Sequence, residues 1–164
     1  MKKKRRKTMI MALWVIFLLM VTMIAFLSFQ NGEDAKRFGD RIILYLAGLF
    51  FDETMTKKEI ESVIYQVRQY GRAVAFLLIG IVGTITIHVS CPKCNWGMKT
   101  GITAFILLAI AIFTERLKIY IPSRHYSYEE MLISIMAVTV GFLAVSAITL
   151  TAKALKGLLI TLFG

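Results

Sequence analysis

Four long apolar runs leave this chain few ways to fold. Thr8–Phe29 has no charged side chain, and Ala73–Cys91 has no Lys, Arg, Asp or Glu. Thr100–Ile121 is apolar as far as Glu115, and Met131–Ala152 is again uncharged. Each run is about 20 residues, the length an α-helix needs to cross a hydrocarbon core of roughly 30 Å. Backbone exposed to lipid must satisfy its own hydrogen bonds, so each run is expected to be helical. With 57% apolar residues and a mean hydropathy of +0.69, the composition is that of an integral membrane protein. The expected fold is all-α: four transmembrane helices in a single domain over residues 1–164, near 8–29, 73–91, 100–121 and 131–152. Residues 30–72 form an outer loop and 92–99 an inner one.

The charges orient this bundle. Met1–Lys7 places six Lys/Arg directly before the first run, and such a cluster is held in the cytoplasm. Lys93, Lys99, Lys153 and Lys156 then fall on the same side. All ten carboxylates lie between Glu33 and Glu61 or between Glu115 and Glu130, on the opposite side. The whole formal charge of +10 therefore faces inward, and both termini are expected in the cytoplasm. The first run is too long for the apolar region of a secretory signal and reads as an uncleaved signal anchor. A pI near 9.8 would suggest nucleic acid in a soluble chain. Here the basic residues are topology signals that also meet the anionic inner leaflet, and no nucleic-acid partner is expected.

The outer loop is patterned. Phe38, Ile42, Tyr45, Leu46, Leu49 and Phe50 recur at helical spacing, with Lys36, Arg37, Asp40 and Arg41 around them. This predicts an amphipathic helix, either lying on the outer leaflet or capping the bundle. Thr56 and Glu59 have capping-box spacing. The apolar stripe that follows runs into the second span, so that helix is expected to begin well outside the membrane.

Small residues mark the packing faces. Ser134, Ala137, Gly141 and Ala144 line one side of the fourth span, and read outward they reach Glu130. Ala104, Leu108 and Ala111 lead to Glu115, while Gly83, Gly80 and Phe76 lead back to Arg72. A carboxylate near the hydrocarbon boundary needs a partner or water. Arg68, Arg72, Glu115, Arg124 and Glu130 are therefore expected to converge in one outer cluster. Three uses remain open: an ion-pair clamp, recognition of an anion by arginine forks, or catalysis with Glu115 or Glu130 as general base.

Ser28-Phe-Gln30-Asn-Gly, Arg68-Gln-Tyr-Gly-Arg72 with Phe76 and Gly80, and Glu115 through Ile121-Pro122-Ser-Arg124 resemble VanZ-like membrane proteins, with Glu130 and Gly141 at family-type acidic and glycine positions. The resemblance covers Ser28 to Gly141 and is strongest in the Glu-x₆-Pro-x-Arg hairpin. It implies a small multi-pass protein of the cell envelope of Gram-positive-type bacteria. The family takes its name from a protein associated with resistance to teicoplanin, a lipidated glycopeptide. It does not imply a known reaction. Arg72 stands where the family commonly has histidine, Lys118 where it has glutamine and Ser123 where it has glycine. Glu130 replaces aspartate, and Ser134 replaces an aspartate or asparagine. Arginine does not deprotonate near neutral pH, so these departures favour holding an anion over proton transfer. Lys118 thereby joins Arg68, Arg72, Glu115, Arg124 and Glu130 as a candidate binding residue. The expected ligand is an anionic lipid, a lipid-linked cell-wall molecule or a lipidated glycopeptide.

Other signals are weaker. His88, Cys91 and Cys94 supply only three of the four ligands of a structural zinc site, and a cytoplasmic Cys-x-x-Cys is not expected to hold a stable disulfide. A structural loop is the plain reading, with metal or redox chemistry as alternatives. His125, beside Arg124, is the other side chain able to move protons. No phosphate-binding glycine loop and no Ser-His-Asp arrangement is present, and no cofactor is expected. Trp14 and Trp96 read as interface anchors. The segment from Gly157 onward is too short to span and is expected to lie along the inner leaflet.

Overall fold

The computed structural model describes residues 2–29, 57–92, 94–120 and 127–163. They form four long helices: α1 (Lys2–Phe29), α2 (Lys57–Ser90), α3 (Trp96–Arg116) and α4 (Tyr128–Phe163). A 3₁₀ turn, Leu117–Tyr120, continues α3. Four helical stretches are long and apolar enough to cross a membrane: Lys4–Phe26, Tyr65–Ser90, Trp96–Tyr120 and Tyr128–Thr161. The amphipathic helix expected around Phe38–Phe50, the capping Thr56, Arg124 and His125 all lie outside the described residues.

Contacts between the helices set their directions. Trp14 and Phe17 of α1 meet Ser90 and Gly83 of α2, so these two run antiparallel. Ser134 meets Glu115, making α3 and α4 antiparallel as well. Arg72 meets Glu130, and Gly80 meets Val138 and Phe142, so α2 and α4 run parallel. The amino terminus of α1, the turn between α2 and α3, and the carboxyl end of α4 therefore share one end of the bundle. The start of α4 and the 3₁₀ turn share the other.

Helices apolar enough to cross a membrane gain no hydrophobic drive from lipid, and close approach and dispersion are the forces that can hold them together there. The approach is closest where α2 crosses α4. A Cβ added to Gly141 would lie 2.5 Å from the Leu77 carbonyl oxygen, and one added to Gly80 would meet the Val138 carbonyl and come within 3.2 Å of the Phe142 nitrogen. Both obstacles are backbone and cannot give way. Around this crossing Phe17, Phe76, Ile79, Leu107, Ala111, Ala137 and Val138 form the core. Three buried threonine hydroxyls bond within their own helices: Thr84 donates to the Gly80 carbonyl at 2.6 Å, Thr103 to Lys99 at 2.7 Å and Thr114 to Ile110 at 2.8 Å. Such back-bonding satisfies a polar group without leaving the helix.

Four expectations need correction. The packing face of α3 is Thr103, Leu107, Ala111 and Glu115, all buried, whereas Leu108 is exposed to the surround. On α4 Ser134, Ala137 and Gly141 are buried as expected, but the face continues through Val145, and Ala144 is exposed. The α3 row steps by four residues, one of the two ridge directions available on a helix surface. Adjacent leucines or alanines of equal composition do not reveal which of them lies on it. The turn between α2 and α3 is shorter than residues 92–99, because Trp96–Lys99 already belongs to α3. Finally, α4 does not stop before Gly157. It continues unbroken for 36 residues, about 54 Å at 1.5 Å per residue. A single glycine costs only about 1 kcal/mol relative to alanine within a helix, and no proline stops it.

Candidate functional site

The packing rows carry charges to a common level. On α2 the row Thr84, Gly80, Phe76 ends at Arg72. On α3 the row through Leu107 and Ala111 ends at Glu115. On α4, Glu130 stands one turn before buried Ser134. Because the three rows pack on one another, their terminal charges meet.

Lys118 completes the group by a local device. The helix tightens after Arg116 into the 3₁₀ turn, where side chains three apart eclipse one another. Lys118 Nζ is brought to 2.6 Å from Glu115 Oε2 and reaches 3.0 Å to Glu130 Oε2 across the helix interface. Arg72 Nη1 lies 2.5 Å from the same Glu130 oxygen and 3.8 Å from Glu115 Oε1. Ser134 Oγ donates to the Glu130 carbonyl at 3.0 Å and stands 3.5 Å from Glu115 Oε1.

Among the described residues, two cations and two carboxylates thus form a network with no net charge. The network has an inside and a rim. Glu115 and Lys118 are 1% and 2% exposed, while the Arg72 and Glu130 side chains keep 22% and 23% of their surface open. Both Glu115 oxygens face partners, which leaves that carboxylate poorly placed to take a proton from a substrate. Any outside molecule meets Arg72 and Glu130 first. Arg68 is exposed one turn further along α2, on the face of Arg72. Of the six candidate binding residues, Arg72, Glu115, Lys118 and Glu130 come together, Arg68 stands beside them on α2, and Arg124 lies outside the described residues.

Ser134 escaped sequence reasoning as a polar partner because it fits the small-residue seam equally well. Its position one turn from Glu130 was the available signal. At the opposite end, both cysteines are free. Among the described residues no three His, Cys, Asp or Glu side chains come together as metal ligands, so His88, Cys91 and Cys94 do not form a centre there. Trp14 is bonded rather than merely interfacial: its Nε1 donates to Ser90 Oγ at 2.9 Å.

Comparison of the chain with protein-family models, with curated proteins and with solved structures finds no match.

Proposed function

We propose that this chain is a non-enzymatic, VanZ-like protein of the bacterial cytoplasmic membrane, with both termini in the cytoplasm and the ion-pair network facing outward. Its rim binds an anionic lipid-linked or cell-wall molecule, or a lipidated glycopeptide, and the proposal extends to a role in glycopeptide resistance, which the resemblance suggests. The observation that carries this reading is the sharing of Glu130 Oε2 between Arg72 and Lys118. An anion bound at the rim would share Arg72 with Glu130, while Lys118 stays between Glu115 and Glu130. Arginine suits such bidentate recognition, and Arg68 adds charge on the same face of α2. The orientation rests on the six basic residues that precede the first span.

The test is mass spectrometry of what copurifies with the full chain in mild detergent. An anionic molecule should be found, and it should be lost from Arg68→Ala and Arg124→Ala at nearly unchanged melting temperature. An unaltered bound fraction in both variants sinks the reading.

A further inference from the structure

The chain's two cysteines lie in the turn between α2 and α3, at the end of the bundle away from the ion-pair network. Pro92 shapes this turn. Proline disfavours helical backbone at the residue before it and has no N–H of its own to give. Helix α2 accordingly closes at Ser90, with the Cys91 N–H still bonded to the Ile87 carbonyl at 3.2 Å, and α3 opens at Trp96. The turn brings the two side chains together. The Cys91 thiol donates to the Cys94 sulfur, and that bond, followed by burial, pushes the thiol up from its ordinary range. Both thiols are free and only half-buried, so a small molecule can reach them.

The two sulfurs stand in different surroundings. Cys94 directly precedes Asn95, the N-cap residue of α3, whose side chain makes no capping bond. The first amides of α3 and the positive end of its dipole therefore follow Cys94 without a side-chain acceptor between them. Lys99, one turn into α3, adds a cation close enough to act on the pair. A thiolate is the reactive form of cysteine, and a helix start with a nearby lysine is where it is stabilised.

We infer that Cys91 and Cys94 are a redox-active dithiol that exchanges with low-molecular-weight disulfides, Cys94 attacking and Cys91 resolving. The Cys94 thiolate displaces one thiolate from the small disulfide and is left in a mixed disulfide. Cys91 then attacks the Cys94 sulfur, and its proton goes to the departing thiolate. The chain gains one disulfide and gives up two electrons, and the small disulfide leaves as two thiols. The inference is independent of what the network end binds.

The test exposes the reduced full chain, in a neutral detergent, to oxidised glutathione. The reaction is quenched with a maleimide, and the turn peptide is weighed by mass spectrometry. The peptide should lose two hydrogens and carry neither glutathione nor maleimide, and dithiothreitol should restore both thiols. Cys91→Ser should stop at a glutathione adduct on Cys94. Cys94→Ser should form its adduct several-fold more slowly, because rate follows the thiolate fraction. Lys99→Gln should slow the reaction of Cys94 and leave the product unchanged. Glutathione retained on both cysteines of the parent chain, or disulfides formed only between chains, would overturn the pairing. Equal rates for the two serine variants would overturn the division of roles, and stoichiometric copurifying zinc would make the thiols ligands instead.

Discussion

Arg72 and Lys118 share one acceptor: Oε2 of Glu130 lies 2.5 Å from the guanidinium and 3.0 Å from the ammonium. The two cations differ in their second attachment. Lys118 also holds Glu115 at 2.6 Å, whereas Arg72 stands 3.8 Å from it. Lys118 is therefore the structural cation and Arg72 the available one.

That asymmetry predicts unequal effects on stability. Lys118→Met leaves Glu115 buried with only a distant cation, and removing one partner of a buried pair typically costs about 3–5 kcal/mol. Arg72→Met leaves both carboxylates on Lys118 and should cost markedly less. Thermal unfolding in one detergent should rank Lys118→Met well below Arg72→Met. The reverse order would mean that Arg72 is the clamp.

A second prediction concerns two adjacent leucines. Leu107 is 1% exposed and packs beneath Gly83, while Leu108 is 38% exposed to the surround. Leu107→Ala should destabilise by about 2–5 kcal/mol, the range for a buried leucine truncated in a core. Leu108→Ala should shift the melting temperature little. Similar losses at both positions would contradict the rotation of α3 about its axis.

Orientation can be read on whole cells. Ala35→Cys and Tyr126→Cys, each in a chain whose native cysteines are replaced, should react with an impermeant maleimide. Native Cys94 should not until the cells are opened. Labelling of Cys94 in sealed cells would turn the bundle over and place the network in the cytoplasm.

The last prediction separates binding from catalysis. Glutamine keeps the shape of a glutamate while removing its charge and basicity. If the protein only binds, Glu130→Gln should keep function within about tenfold, whereas loss of a general base commonly costs 10²–10⁴-fold. Glu115→Gln should act mainly on stability, since Lys118 depends on it. A variant that retains ligand yet loses more than a hundredfold in activity would make that glutamate catalytic.

Much of this architecture was legible because lipid imposes a coarse rule on sequence: about 20 apolar residues per crossing, with charges at the ends. Arg72, Glu115 and Glu130 could be brought together on paper because each lies where a packing row reaches its polar end. Finer points were hidden for physical reasons. Leu107 and Leu108 are chemically identical, and only the crossing of helices chooses between them. The placement of Lys118 depends on a change from α to 3₁₀ winding over one turn, which leaves no mark in composition. Ser134 is both small and polar, and pattern alone does not say which property is used.

The pairing of α2 with α4 has a consequence for how the molecule is made. The ribosome delivers α2, with its glycine notch and Arg72, before the helix that fills the notch and the carboxylate that meets the arginine. Until Glu130 and Gly141 emerge, α1, α2 and α3 are made yet incomplete, with the notch of α2 unfilled and Arg72 lacking its nearest carboxylate. Synthesis and assembly are thus separate events for these helices, and α4, which follows the other three in the sequence, is the one that fills the notch.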